Sequence, residues 1–60
     1  MKILTPDEAK VLLTKSDLQK LEAGIADGTL RAELVKDIPV LTVRKQFVPL
    51  FVVLQLIGEQ

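Results

Sequence analysis

Residues 47 to 57, Phe-Val-Pro-Leu-Phe-Val-Val-Leu-Gln-Leu-Ile, are apolar apart from Pro49 and Gln55. A chain of 60 residues builds one small core, which covers one face of such a segment and leaves the others open. The remaining faces must meet the rest of the chain or a partner, and a partner is the expectation here. The run is too short to span a bilayer, which takes about 20 apolar residues, and no basic cluster follows it. At the other end, Lys2-Ile3-Leu4 passes directly into a polar helix start without the apolar stretch of a secretory signal. These features predict one soluble cytoplasmic domain over 1–60, with no membrane partner.

A domain of this size needs a staple. Burial at roughly 25 cal/mol per Å², set against roughly 1.5 kcal/mol of entropy per ordered residue, comes out near zero. The chain has no Cys, so it has no disulfide, and with no His it lacks the usual zinc ligands. Self-association is the remaining remedy, so a homo-oligomer, a dimer in the simplest case, is expected through the C-terminal segment. On a helix over 49–57, Leu50, Val53, Leu54 and Ile57 would share one face, and Phe51, Val52 and Leu56 could not all join it. Phe51, Val52, Leu54 and Leu56 are the interface candidates. The hydrophobic fraction of 48% argues against disorder.

Two helix starts stand out. Thr5-Pro6-Asp7-Glu8 is a capping box with Pro at the first helical position. Ala9, Leu12 and Leu13 follow on one face, which predicts a helix over 5–13. Ser16-Asp17-Leu18-Gln19 reads as a second box. Leu18, Leu21 and Ile25 form its apolar stripe, and Asp27-Gly28 is a natural stop. Thr14-Lys15 would then be the whole connection, as in a helix-turn-helix pair.

The middle and the end are ambiguous. Leu30 to Leu34 alternates like a strand, yet Leu30, Leu34 and Ile38 are also four apart and the residues between are good helix formers. Local propensity favours helix. Ile38 to Val43 is β-branched and reads as a strand with Pro39 at its start or edge. If 30–35 is also a strand, Lys36-Asp37 is the hairpin turn, although Lys suits its positive φ poorly. Pro49 suits the first turn of a last helix over 49–57 closed by Gly58, but the Val-rich run would also suit a buried strand.

Chemistry is nearly absent. Without His or Cys the commonest general base and the best thiol nucleophile are missing, and no Gly-rich phosphate loop appears. Asp7, Glu8 and Asp17 are accounted for by helix starts. Asp27-Gly28 resembles a fragment of a calcium loop, without the other carboxylates such a loop needs. The chain is expected to be no enzyme and to use no cofactor or metal.

Basic residues could serve binding instead. Lys15, Ser16, Gln19 and Lys20 fall at the start and outer face of the second helix; Arg31, Lys36, Arg44 and Lys45 lie on or beside the possible hairpin. These eight are the DNA-binding candidates, against a formal net charge of zero that disfavours nucleic acid. The order of segments resembles the small excisionase-type (MerR-like) winged-helix proteins. Leu4-Thr-Pro-Asp-Glu-Ala-Lys-Val-Leu-Leu13 looks like their opening helix, Ser16 to Gly28 like their recognition helix, and Gly28-Thr29-Leu30 like their glycine-x-leucine step into the wing. Val48-Pro49 with the apolar run looks like their closing helix. Their usual turn glycine and early recognition-helix arginine are absent. The resemblance implies an α+β winged-helix-like fold (helix-turn-helix, β-hairpin, C-terminal helix) and a non-catalytic DNA-binding accessory factor, an excisionase-like protein or transcription regulator. The alternatives are a mainly α dimeric domain, and a protein–protein interaction module or inhibitor that acts through the apolar C-terminal surface without DNA.

Overall fold

The computed structural model describes residues 2–60 and is a small α+β unit. Its elements are α1 (Pro6–Leu12), α2 (Lys15–Asp27), β1 (Glu33–Val35), β2 (Ile38–Val43), β3 (Gln46–Pro49) and α3 (Leu50–Gly58). The strands form one antiparallel sheet in the order β1-β2-β3. The three strands rule out the mainly α alternative and the helical reading of 29–38. Local propensity loses there because strand β2 supplies a partner edge and buries Val40 and Leu41.

The first helix starts as its sequence predicts. The Glu8 N–H donates to the Thr5 hydroxyl at 3.2 Å, and the Thr5 N–H donates to the Glu8 carboxylate at 3.0 Å. The second start needs correction. Its cap is Thr14, with Asp17 as the reciprocal partner, so Ser16 is an exposed residue inside the first turn. Only Leu13 and Thr14 separate the helices. Gly28, at φ 80°, closes α2. Both α1 and α2 make their helix–helix contacts chiefly with α3, which also lies on β2 and β3.

Two sharp turns set the register. Lys36 and Asp37 have φ of 52° and 65°, and Arg44 and Lys45 have φ of 48° and 67°, the paired positive values of a type I′ hairpin. The sequence points to Lys36-Asp37 as a turn and gives no sign of Arg44-Lys45, because neither position carries Gly or Asn. Residues flanking a two-residue turn form a hydrogen-bonded pair, and pairs then alternate along the ladder. From Val35↔Ile38, the pair Leu34↔Pro39 is therefore non-hydrogen-bonded; from Val43↔Gln46, so is Val40↔Pro49. Both prolines fall where the ladder asks for no N–H. The same alternation turns the Phe47 carbonyl outward, where it accepts the Leu4 N–H at 2.9 Å.

The apolar tail is thus two elements. Phe47 to Pro49 belong to β3, and the helix begins at Leu50 with Pro49 as its cap residue. Leu41, Val43 and Val48 on one sheet face join Leu4, Ala9, Leu13, Leu18, Leu21, Val52, Val53 and Leu56 in the core. The helix turns Val52, Val53 and Leu56 inward and leaves Phe51 and Leu54 61% and 49% exposed. Of the interface candidates, Phe51 and Leu54 point out, while Val52 and Leu56 lie inside; Leu54 thereby departs from the face it was expected to share with Leu50, Val53 and Ile57, which pack on the core. Starting the helix at Leu50 and packing it between sheet and helices decides which side faces in. Among the described residues, no helix is long and apolar enough to cross a membrane.

Candidate nucleic-acid interface

The eight polar candidates divide by position in the sheet. Lys36 occupies the β1–β2 turn, and Arg44 and Lys45 occupy the β2–β3 turn. In a three-stranded meander these turns lie at opposite ends. One flat surface cannot use both, so Lys36 is separated from the Arg44–Lys45 end.

Arg44 is the organising residue of that end. Its Nη1 donates to both carboxylate oxygens of Asp17 at 2.9 Å, and its Nη2 donates to the Leu12 carbonyl. One guanidinium thus ties the β2–β3 turn to the last turn of α1 and the first turn of α2. This removes Arg44 from the free cations and makes it a clamp, a role that its long, planar fork suits. It also neutralises Asp17, whose carboxylate accepts the Thr14 N–H at 2.9 Å. The Asp17 pKa is held below its ordinary value, first by that backbone N–H and then by Arg44.

On α2, Leu18 and Leu21 are buried and Ile25 packs against the core. At 3.6 residues per turn, Ser16, Gln19, Lys20 and Ala23 form the opposite, exposed stripe. Lys15 is exposed on its flank, on the side of Glu22. Small and uncharged side chains at the centre of the stripe let the helix approach a surface closely. Asp27 stands at the far end, turned to the Thr29 hydroxyl at 2.7 Å and N–H at 2.9 Å. Arg31 is exposed in the link between Leu30 and β1.

The interface candidates divide as well. Phe51 and Leu54, three apart on α3, are exposed; Val52 is 1% exposed and Leu56 is buried. Two other features had no strong sequence signal. Leu34, at the sheet edge, is 74% exposed. An open depression of about 570 Å³ is lined by Leu4, Asp7, Glu8, Val11, Leu12 and Gln46. Asp7 and Glu8 make its rim acidic, and Glu8 is bound by Lys2. Among the described residues, no three acidic side chains gather as a cation site.

No protein family, curated protein or solved structure matches this chain.

Proposed function

We propose that this chain is a winged-helix-like, non-catalytic DNA-binding accessory domain, with α2 and the β2–β3 turn as its DNA-facing surface. The observation that carries this reading is the Arg44 clamp. It sets a basic hairpin tip against the start of a helix whose exposed stripe is Ser16, Gln19, Lys20 and Ala23. A helix in the major groove with a hairpin beside it on the backbone is a recurrent docking geometry. Lys15, Lys20 and Lys45 would contact phosphates; Ser16 and Gln19 would face base edges. Arg44 acts by positioning, and Lys36 stays off the duplex. The zero net charge is then less of an objection, because one acid of α2, Asp17, is already paired with Arg44, although Glu22 beside Lys15 stays exposed.

Three phosphate contacts predict a log–log salt slope of about −3 for each domain bound. Lys20→Glu combined with Lys45→Glu should abolish duplex binding at low salt and leave the urea midpoint unchanged. Lys36→Glu should leave binding intact. If a folded sample binds no duplex at low salt, the DNA reading fails. Phe51 and Leu54 favour a second reading: a protein-interaction module that presents the outer face of α3 to another protein.

A further inference from the structure

We propose that the depression beside α1 docks a basic, aliphatic segment of another protein, with a lysine of that segment laid along α1 and its ammonium between Asp7 and Glu8. The site does not rest on the DNA reading, and its carboxylates would repel a phosphate backbone.

The floor of the depression is apolar. Leu4 and Leu12 contribute to it, and Val11, 88% exposed, is the most open large apolar side chain among the described residues. Asp7 and Val11 are four residues apart on α1, as are Glu8 and Leu12, so each carboxylate stands one turn from an apolar side chain on the same face. The rise over four helical residues is about 6 Å, a distance that the four-carbon stem of a lysine spans. One end of the groove thus takes methylenes and the other takes a cation.

The structure already places a cation on this rim. The Lys2 ammonium is bound to Glu8, so the chain's own amine is seated there. Asp7 has no hydrogen-bond or ion-pair partner among the described residues, and Lys10, the other cation of α1, is engaged by Glu59 at 3.9 Å. Two carboxylates against one amine leave the rim a net negative charge. An aliphatic floor beside that charge is complementary to an aliphatic cation.

The depression, about 570 Å³, is open. A small amine would keep most of its surface in water there, whereas a small-molecule pocket encloses its ligand. A protein segment covers the opening with the residues on either side of its lysine. Gln46, at the start of β3, lines the site with a side-chain amide that can pair with an extended backbone. A patch of this size gives weak, transient docking. Lys2 is then a competitor: it occupies Glu8 until the partner's lysine arrives.

The test is titration of the chain with the peptide acetyl-Ala-Leu-Lys-Leu-Ala-amide to millimolar concentration, followed by amide chemical shifts. Shifts should map to residues 2–12 and Gln46. Replacing the peptide lysine with norleucine, which keeps the stem and removes the charge, should weaken binding severalfold. Asp7→Asn and Val11→Ser, both at exposed positions, should each do the same. Lys2→Ala should tighten binding. The proposal is overturned by an absence of shifts at these residues, by equal binding of the norleucine peptide, or by indifference to Asp7→Asn and Val11→Ser. Unchanged or weaker binding in Lys2→Ala also overturns it. So does butylammonium that binds as tightly as the peptide, since the site would then belong to small amines.

Discussion

At the scale of single residues, the start of α2 shows how a cap is chosen. Thr14-Lys-Ser-Asp17 and Ser16-Asp-Leu-Gln19 both satisfy the capping-box pattern. The earlier one wins because Asp17 serves twice, accepting the Thr14 N–H and the Arg44 guanidinium. A helix begun at Ser16 would take Asp17 out of that position and release the hairpin turn. Thr14→Ala should therefore cost about 1 kcal/mol, whereas Ser16→Ala should fall within about 0.5 kcal/mol of the parent. Urea unfolding of the two variants checks this; equal losses, or the reverse order, would refute the assignment.

At the scale of elements, the C-terminal half of α2 is shaped by the segment that returns to the sheet. Gly24 is helical and carries a propensity penalty of about 1 kcal/mol against Ala. The reason lies outside the helix. A Cβ at position 24 would stand 2.9 Å from the Leu30 Cβ, closer than side chains normally come. Leu30 is held there by its N–H on the Gly24 carbonyl and by packing against the core. Gly24 is thus the place where the chain crosses back toward the sheet. Gly24→Ala should gain helix propensity and still lose roughly 1 kcal/mol net, since overpacking costs about 1–3 kcal/mol. A higher melting temperature for Gly24→Ala would show that the Leu30 crossing is loose. The hairpins obey the same logic. Lys36, Asp37, Arg44 and Lys45 all accept positive φ without Gly, and the paired strands hold them there.

At the scale of the whole molecule, stability should depend on acid in a defined direction. Three carboxylates sit at helix ends and are held below their ordinary pKa. Glu8 falls from 4.5 to about 2, chiefly through Lys2 and then the Thr5 N–H. Asp17 is lowered by the Thr14 N–H and Arg44, and Asp27 by the Thr29 hydroxyl and N–H. A depressed carboxylate contributes stability that is complete above its unfolded pKa and disappears as pH falls through its folded pKa. The urea midpoint should therefore hold steady at neutral pH and fall from about pH 4.5 toward pH 2. Glu8→Gln should flatten that fall, because one titrating group is gone. Asp27 is exposed and Glu8 and Asp17 are half-buried at the surface, so added salt should shrink the effect, least at Asp17. A midpoint that rises on acidification would contradict the sign.

Local signals determined much of this protein. The Thr5 capping box, the Leu18-Leu21-Ile25 stripe, the Asp27-Gly28 stop and the β-branched run of β2 each rest on interactions within a few residues. Such interactions are legible wherever they occur. Tertiary structure decided the rest. Residues 30–35 carry helix-forming side chains, and only pairing with β2 makes 33–35 a strand. The turn at Arg44-Lys45 has no local signature, since the strands on either side impose its positive φ. The apolar run from Phe47 to Ile57 looks like one segment, yet the β2 edge claims its first residues and the core claims the inner face of the remainder. Among the site residues, the exposure of Lys15, Gln19 and Lys20 came from helical periodicity. The capture of Arg44 by Asp17 did not, because the partners are 27 residues apart and nothing in either neighbourhood announces the other. Composition and spacing report what a segment prefers by itself; a strand edge, a helix rotation and a long-range ion pair exist only once two segments have met.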